Sequence, residues 1–131
     1  MLVGHQEKVK IFGELYKSDL LSHGYIFFGE EQVGKKSFAL AFANFLEKGK
    51  FETPERILSE TKLISPEKGS IGIDTVKEAR HFLSQKPIFS KRRVLIIDDA
   101  HKLTTQAQNA ILKISEEPPQ SSLVIVISPT L

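Results

Sequence analysis

Two short stretches of this chain carry residues whose types and spacing can do chemistry. The first, Gly29-Glu30-Glu31-Gln32-Val33-Gly34-Lys35, has the G-x-x-x-x-G-K spacing of a phosphate-binding loop. Its glycines let the backbone turn tightly, so that several N–H groups converge on one anion. The helix that follows adds its partial positive charge, and Lys35 would reach the outer phosphates. The second stretch, Asp98-Asp99, closes the apolar run Val94-Leu95-Ile96-Ile97. Carboxylates at the C-terminal end of a buried strand stand where open α/β sheets bind their ligands. There Asp98 would hold Mg²⁺ through a water, and Asp99 would polarise an attacking water.

Each stretch departs from a complete site at one residue. The eighth position of a phosphate loop holds Ser or Thr, whose hydroxyl binds Mg²⁺; here it is Lys36, with Ser37 one place later. One residue is about 100° of rotation on a helix, so Ser37 does not simply substitute. An inward Lys36 would repel the metal; an outward one would leave it to waters and carboxylates. Asp99 stands where a Glu is usual, one methylene too short. That sets its carboxylate back by roughly 1 Å, and such a misplacement can cost about 10²-fold in rate. The expected cofactor is ATP with Mg²⁺, bound more readily than hydrolysed. The bland alternatives are a chance match in a Gly-containing turn and an acidic loop start. The strand–loop–helix setting of the first stretch, and the separate strand under the second, argue against them.

The elements that must position these residues alternate between helix and strand, which predicts an α/β fold with a parallel sheet flanked by helices. Apolar residues at Val9, Phe12, Leu15 and Tyr16 predict a helix from His5 to about Leu20. Gly24–Phe28 reads as a strand buried on both faces. Lys36–Lys48 reads as the helix after the loop. Gly49–Glu60 is undecided, with Pro54 expected to open a short helical turn. Thr61–Ser65 reads as a strand, and Pro66–Ser70 as turn chemistry. Asp74–Gln85 is an amphipathic helix expected to bury Val76, Ala79, His81, Phe82 and Leu83. Arg93–Asp98 and Leu123–Ile127 are strands. Between them Thr104–Glu116 is a helix, with Thr104 or Thr105 its N-cap and Pro118-Pro119 its stop.

Composition removes several function classes. The chain has 131 residues, enough for one domain with a core. It has no cysteine, so disulfides and thiolate metal sites are excluded. His5, His23, His81 and His101 show no ligand spacing, and no metal-binding role is assigned to them. A net charge of +2 gives no argument for nucleic acid. Lys91-Arg92-Arg93, the basic cluster, is expected to be a solvated strand end. No apolar run approaches the roughly 20 residues of a membrane span, and the N-terminus lacks the order of a signal peptide, so the expected location is the cytoplasm.

Four segments in order, GEEQVGKKS, VLIIDDAHKL, QNAILKISEEPP and LVIVIS, resemble the AAA+ clamp-loader subunits of bacterial DNA polymerase III. Asn109, Ala110, Leu112, Lys113, Glu116, Glu117, Pro118 and Pro119 match the family's "NALLKTLEEPP" helix directly, and EEPP is not expected in a generic AAA+ ATPase. The resemblance runs over nearly the whole chain. Within the family, the Lys36 and Asp99 departures are most similar to the delta prime branch, whose nucleotide site is often degenerate and which acts as a stator. The resemblance implies a role in loading the sliding clamp on primed DNA during replication, with other clamp-loader subunits and as part of a polymerase holoenzyme. It implies nucleotide contacts from Gly29, Gly34, Lys35, Lys36, Ser37 and Asp98, catalysis at Asp99, and a sensor role for Ser128. The alternative within the family is a hydrolysis-competent motor subunit. A small P-loop kinase would need arginine-bearing lid and acceptor features that are not visible.

The family often carries a four-cysteine zinc module after the phosphate-loop helix; Gly49–Glu60 is short and cysteine-free, so zinc is not expected. The family's sheet order, 5-1-4-3-2, implies that Tyr25–Phe28 lacks one neighbour when only four strands are present. The expectation is therefore a fragment, residues 1–131 being the N-terminal part of an AAA+ domain that stops after its fourth strand. The arginine-finger segment, the lid and the collar would follow.

Overall fold

The computed structural model describes residues 6–28 and 32–129. The elements are α1 (Gln6–Lys17), β1 (Gly24–Phe28), α2 (Gln32–Lys48), β2 (Thr61–Ile64), α3 (Ile73–Ser84), β3 (Arg93–Ile97), a 3₁₀ turn (Ala100–Lys102), α4 (Thr105–Glu116) and β4 (Ser122–Ser128). The four strands are parallel, in the order β1-β4-β3-β2. Parallel strands need crossovers, and here each crossover is or contains a helix.

Strand pleating divides the core into two layers, because alternate residues point to opposite faces. Val94 and Ile96 of β3, with Leu123, Ile125 and Ile127 of β4, pack against Ala39, Phe42, Ala43 and Leu46 of α2. Leu95 and Ile97, with Val124, pack on the other face against Val76, Ala79 and Leu83 of α3 and Ala107, Ile111 and Ile114 of α4. Burial of both faces explains why β3 and β4 read as unbroken apolar runs. Each fully buried Leu or Ile contributes about 1.5–3 kcal/mol.

Helix α1 is held by aromatic contacts. The Phe12 ring lies 5.1 Å from Tyr25, 5.5 Å from Phe38 and 4.8 Å from Phe42, centroid to centroid. These offset and edge contacts fasten α1 across β1 and α2.

Several expectations are corrected. Helix α2 starts at Gln32, about one turn before Lys36. The positive end of the helix dipole therefore lies at Gln32, a turn before Lys36. Pro54 opens no helical turn: the chain bends through 52–56 and turns at Ser59-Glu60. Contacts to α2 replace a helix's own bonds there, since Asn44 donates to the Lys50 carbonyl at 2.8 Å and Glu47 accepts from the N–H groups of Ser59 and Glu60. His81 is exposed, while Val76, Ala79 and Leu83 alone of α3 are buried. His5 lies outside the described residues.

The basic cluster is also corrected, because it is built into the fold. Arg92 donates to the carbonyls of Leu21, Ser22 and Ser122 at 2.8–3.0 Å. Arg93 lies over the Phe82 ring at 4.6 Å, and Lys91 over Tyr16 at 5.1 Å. A guanidinium has five donors in a fixed fork. That fork ties the start of β4 to the segment before β1.

Candidate functional site

The C-terminal edge of the sheet gathers most of the candidate residues. Helix α2 begins at this edge and runs back over the face formed by Val94, Ile96, Leu123 and Ile125. Asp98 follows β3 directly and continues that alternation, so its side chain turns toward α2. Its N–H donates to the Ile64 carbonyl at 2.9 Å, which extends the β2–β3 ladder by one bond. Its Oδ1 accepts from the Asp99 N–H at 3.0 Å. Its Oδ2 lies 3.9 Å from the Lys36 Nζ. Lys36 therefore points inward, and the side chains are 43% and 14% exposed respectively.

This arrangement was the open question at the eighth position, and it bears on the metal. Mg²⁺ demands close octahedral oxygen ligands at about 2.1 Å. The site offers a carboxylate already facing an ammonium, and no hydroxyl at the position that normally supplies one. The donor set does not fit Mg²⁺. Among the described residues no group of three or more His, Cys, Asp or Glu side chains is placed to hold an ion.

The other candidates are placed as follows. Gly34, Lys35 and Ser37 lie in the first turns of α2, partly buried. Gly29 lies outside the described residues. Asp99 adopts a left-handed backbone, φ 51° and ψ 51°, and caps the 3₁₀ turn through its carbonyl, which accepts from the Lys102 N–H at 2.9 Å. Asp is among the few side chains that tolerate this region. Ser128 ends β4, buried, with Phe28 as its register partner. The pleat sets it with Val124 and Val126, on the sheet face opposite to Asp98. The fold thus brings Lys36 and Asp98 together, and places Ser128 at the same edge without turning it toward them.

The segment after Asp99 is fastened to the start of α3. Ile71 donates to the Lys102 carbonyl at 2.9 Å, and Thr104 donates to the Ile71 carbonyl at 3.0 Å. Thr104 caps α4, its hydroxyl accepting from the Ala107 N–H at 3.1 Å. The starts of α3 and α4 consequently flank one cleft of about 520 Å³, lined by Gly72, Asp74, Thr75, Thr104, Thr105 and Gln106.

One structural residue escaped the sequence reading. Glu60, 2% exposed, accepts from the N–H groups of Ile88, Phe89 and Ser90 at 2.5–2.6 Å and from the Ser90 hydroxyl at 2.9 Å. Arg93 Nε stands 4.0 Å away. Burial pushes its pKa up, but the donated hydrogen bonds outweigh burial and hold it below the usual carboxylate value. The one available signal was opposite charges flanking two strands: Thr61 pairs with Val94, so Glu60 and Arg93 precede paired positions. Only the register reveals that.

The comparisons agree with this fold. The family model described as "DNA polymerase III, delta subunit" matches residues 4–131. The chain belongs to the DNA polymerase III clamp-loader family. Among its clamp-loader relatives, the Mycobacterium tuberculosis DNA polymerase III subunit gamma/tau is 34% identical over 119 residues, covering 80% of this chain and 21% of that protein. The Bacillus subtilis subunit delta' is 29% identical over 132 residues, covering 92% of this chain and 40% of that protein. A gamma subunit-related protein from Thermotoga maritima superposes with a TM-score of 0.72 at 28% identity, over 90% of this chain and 39% of that one. The α/β sheet is therefore that of a clamp-loader AAA+ domain. The chain spans about a fifth of the gamma/tau relative and two fifths of the delta' relative. Among the described residues, no helix is long and apolar enough to cross a membrane.

Proposed function

We propose that this chain is the nucleotide-site region of a delta prime-like clamp-loader subunit, acting with other clamp-loader subunits to load the sliding clamp on primed DNA. Its nucleotide site is degenerate. The observation that carries this reading is Lys36 at the metal-ligand position of the phosphate loop, with its ammonium facing Asp98 at 3.9 Å. An ammonium at that place removes the hydroxyl a hydrolytic site needs, and Asp99 is too short for the water-polarising role. A subunit built this way serves its complex as a scaffold.

A motor-type subunit of the gamma/tau kind is the second reading, favoured by the 34% identity to the M. tuberculosis gamma/tau subunit. In that case Gly34, Lys35 and Ser37 would serve a working ATPase with Asp99 as its catalytic carboxylate. The deciding experiment is steady-state ATP hydrolysis with clamp loading on primed DNA, in a clamp loader reconstituted with this subunit and with its Lys35→Ala variant. The scaffold reading expects hydrolysis and loading to be unchanged by Lys35→Ala within about twofold. A loss of 10²-fold or more, the scale of a misplaced catalytic group, would make the subunit a motor.

A further inference from the structure

The Lys36 ammonium beside Asp98 is a charge that the nucleotide reading leaves unexplained. In a complete phosphate-loop site, the carboxylate at the end of the acidic strand serves a divalent cation, and the loop hydroxyl completes that cation's shell. Here the carboxylate is committed elsewhere. Asp98 Oδ1 accepts the backbone N–H of Asp99, and Oδ2 faces the Lys36 ammonium. Asp98 is mostly buried, and so it needs a positive partner; Lys36 provides one from within the chain. Ser37 is rotated about 100° away from the Lys36 position. A dication brought to Oδ2 would lie within a few ångströms of the ammonium, and would meet twice the charge repulsion that a monovalent ion meets.

We propose that the ammonium of Lys36 is the resident cation of this site: it takes the place of Mg²⁺ at Asp98, and a polyphosphate ligand is bound as its metal-free anion. The proposal rests on the reading of this edge as a nucleotide site. Its ligand class is a nucleoside polyphosphate. Two neighbouring lysines, Lys35 and Lys36, and the positive end of the α2 dipole carry the charge that a metal would otherwise add. Because the lysine side chain is 43% exposed, replacing it leaves the core packing undisturbed.

Two measurements on the full-length subunit test it. The first is Mn²⁺ binding by electron paramagnetic resonance, with Mn²⁺ as the Mg²⁺ probe, for the parent, Lys36→Thr, and Lys36→Thr with Asp98→Asn. The second is the affinity for a fluorescent ATP analogue in EDTA and in Mg²⁺. The parent is expected to bind no Mn²⁺, and its nucleotide affinity to differ less than about twofold between buffers. Lys36→Thr is expected to gain one Mn²⁺ site that Asp98→Asn removes, and a nucleotide affinity about tenfold higher with Mg²⁺ than without, about 1.4 kcal/mol. An Mn²⁺ site in the parent that depends on Asp98 overturns the proposal. So does a Lys36→Thr variant that gains no Mn²⁺, because the lysine is then not what excludes the metal. Absence of nucleotide binding in both buffers overturns the nucleotide-site reading and the polyphosphate half with it. The Mn²⁺ arm then decides the cation half alone.

Discussion

A carboxylate buried in apolar surroundings stays ionised only if donors meet its charge, and Glu60 meets that condition with four of them. The donors come from residues far along the chain, so Glu60 clamps the segment before β3 to the segment before β2. Glu60→Gln should destabilise the protein by about 3 kcal/mol at neutral pH, since an amide nitrogen would then face N–H donors and Arg93 would lose its counter-charge. The midpoint of urea unfolding measures this directly. The pH dependence has a definite sign. The folded pKa lies below the ordinary value of 4.5, so the contribution is full above that pH and fades as pH falls through the folded value. The gap between parent and Glu60→Gln should therefore narrow in acid. A gap that stays constant down to strongly acid pH would mean that the carboxylate charge is not what holds the segment.

At the scale of elements, α4 depends on its first residue. Thr104 satisfies one of the orphan N–H groups by accepting from Ala107, and its own N–H is tied to Ile71 beside the start of α3. Thr104→Ala should cost about 1 kcal/mol, while Thr104→Ser should stay within a few tenths. Thermal melts of the two variants distinguish the hydroxyl's cap from a methyl contact, because equal losses would assign the effect to the methyl group. The cap has a second consequence. It holds the N–H groups of α4 beside those of α3 around one cleft, an arrangement that suits phosphate oxygens of a nucleic-acid backbone. Loss of the cap should weaken binding of primed DNA by the assembled loader if this cleft is a contact, and leave it unchanged otherwise; a filter-binding titration at fixed salt separates the two.

At the scale of the whole molecule, β1 pairs with β4 on one side and with no strand of the described residues on the other. Ile26 on this strand is 59% exposed, and it borders an apolar cleft of about 810 Å³ with Leu112, Pro118 and Val126. A strand with a free row of N–H and C=O groups and an apolar face is a template for pairing with another chain. The isolated chain is therefore expected to self-associate as concentration rises. Ile26→Lys should suppress this, because a charged residue on an edge strand opposes pairing. Sedimentation velocity over a tenfold concentration range gives the answer, and a parent that stays monomeric throughout would show that the edge is protected.

The strands, the helices between them and the Thr104 cap were legible in the chain itself. But β1 was expected to be buried on both faces, and Ile26 is 59% exposed, because no described helix or strand covers that side. Unbroken apolar runs, helical spacing and capping residues are properties of neighbours in sequence, and each can be read within a single window. The spacing of the candidate loop and the acidic strand end is likewise a property of neighbours in sequence. Family membership then came from the longer EEPP-bearing pattern, which the comparisons support. What the chain could not disclose is which way Lys36 faces, since that depends on where the start of α2 lies against the end of β3. Glu60, Arg92 and Arg93 were misread or missed for a related cause. Their partners sit many residues away, and only the pairing of the strands across the sheet brings them together. Local pattern determined the elements; the packing of distant elements decided which charges meet.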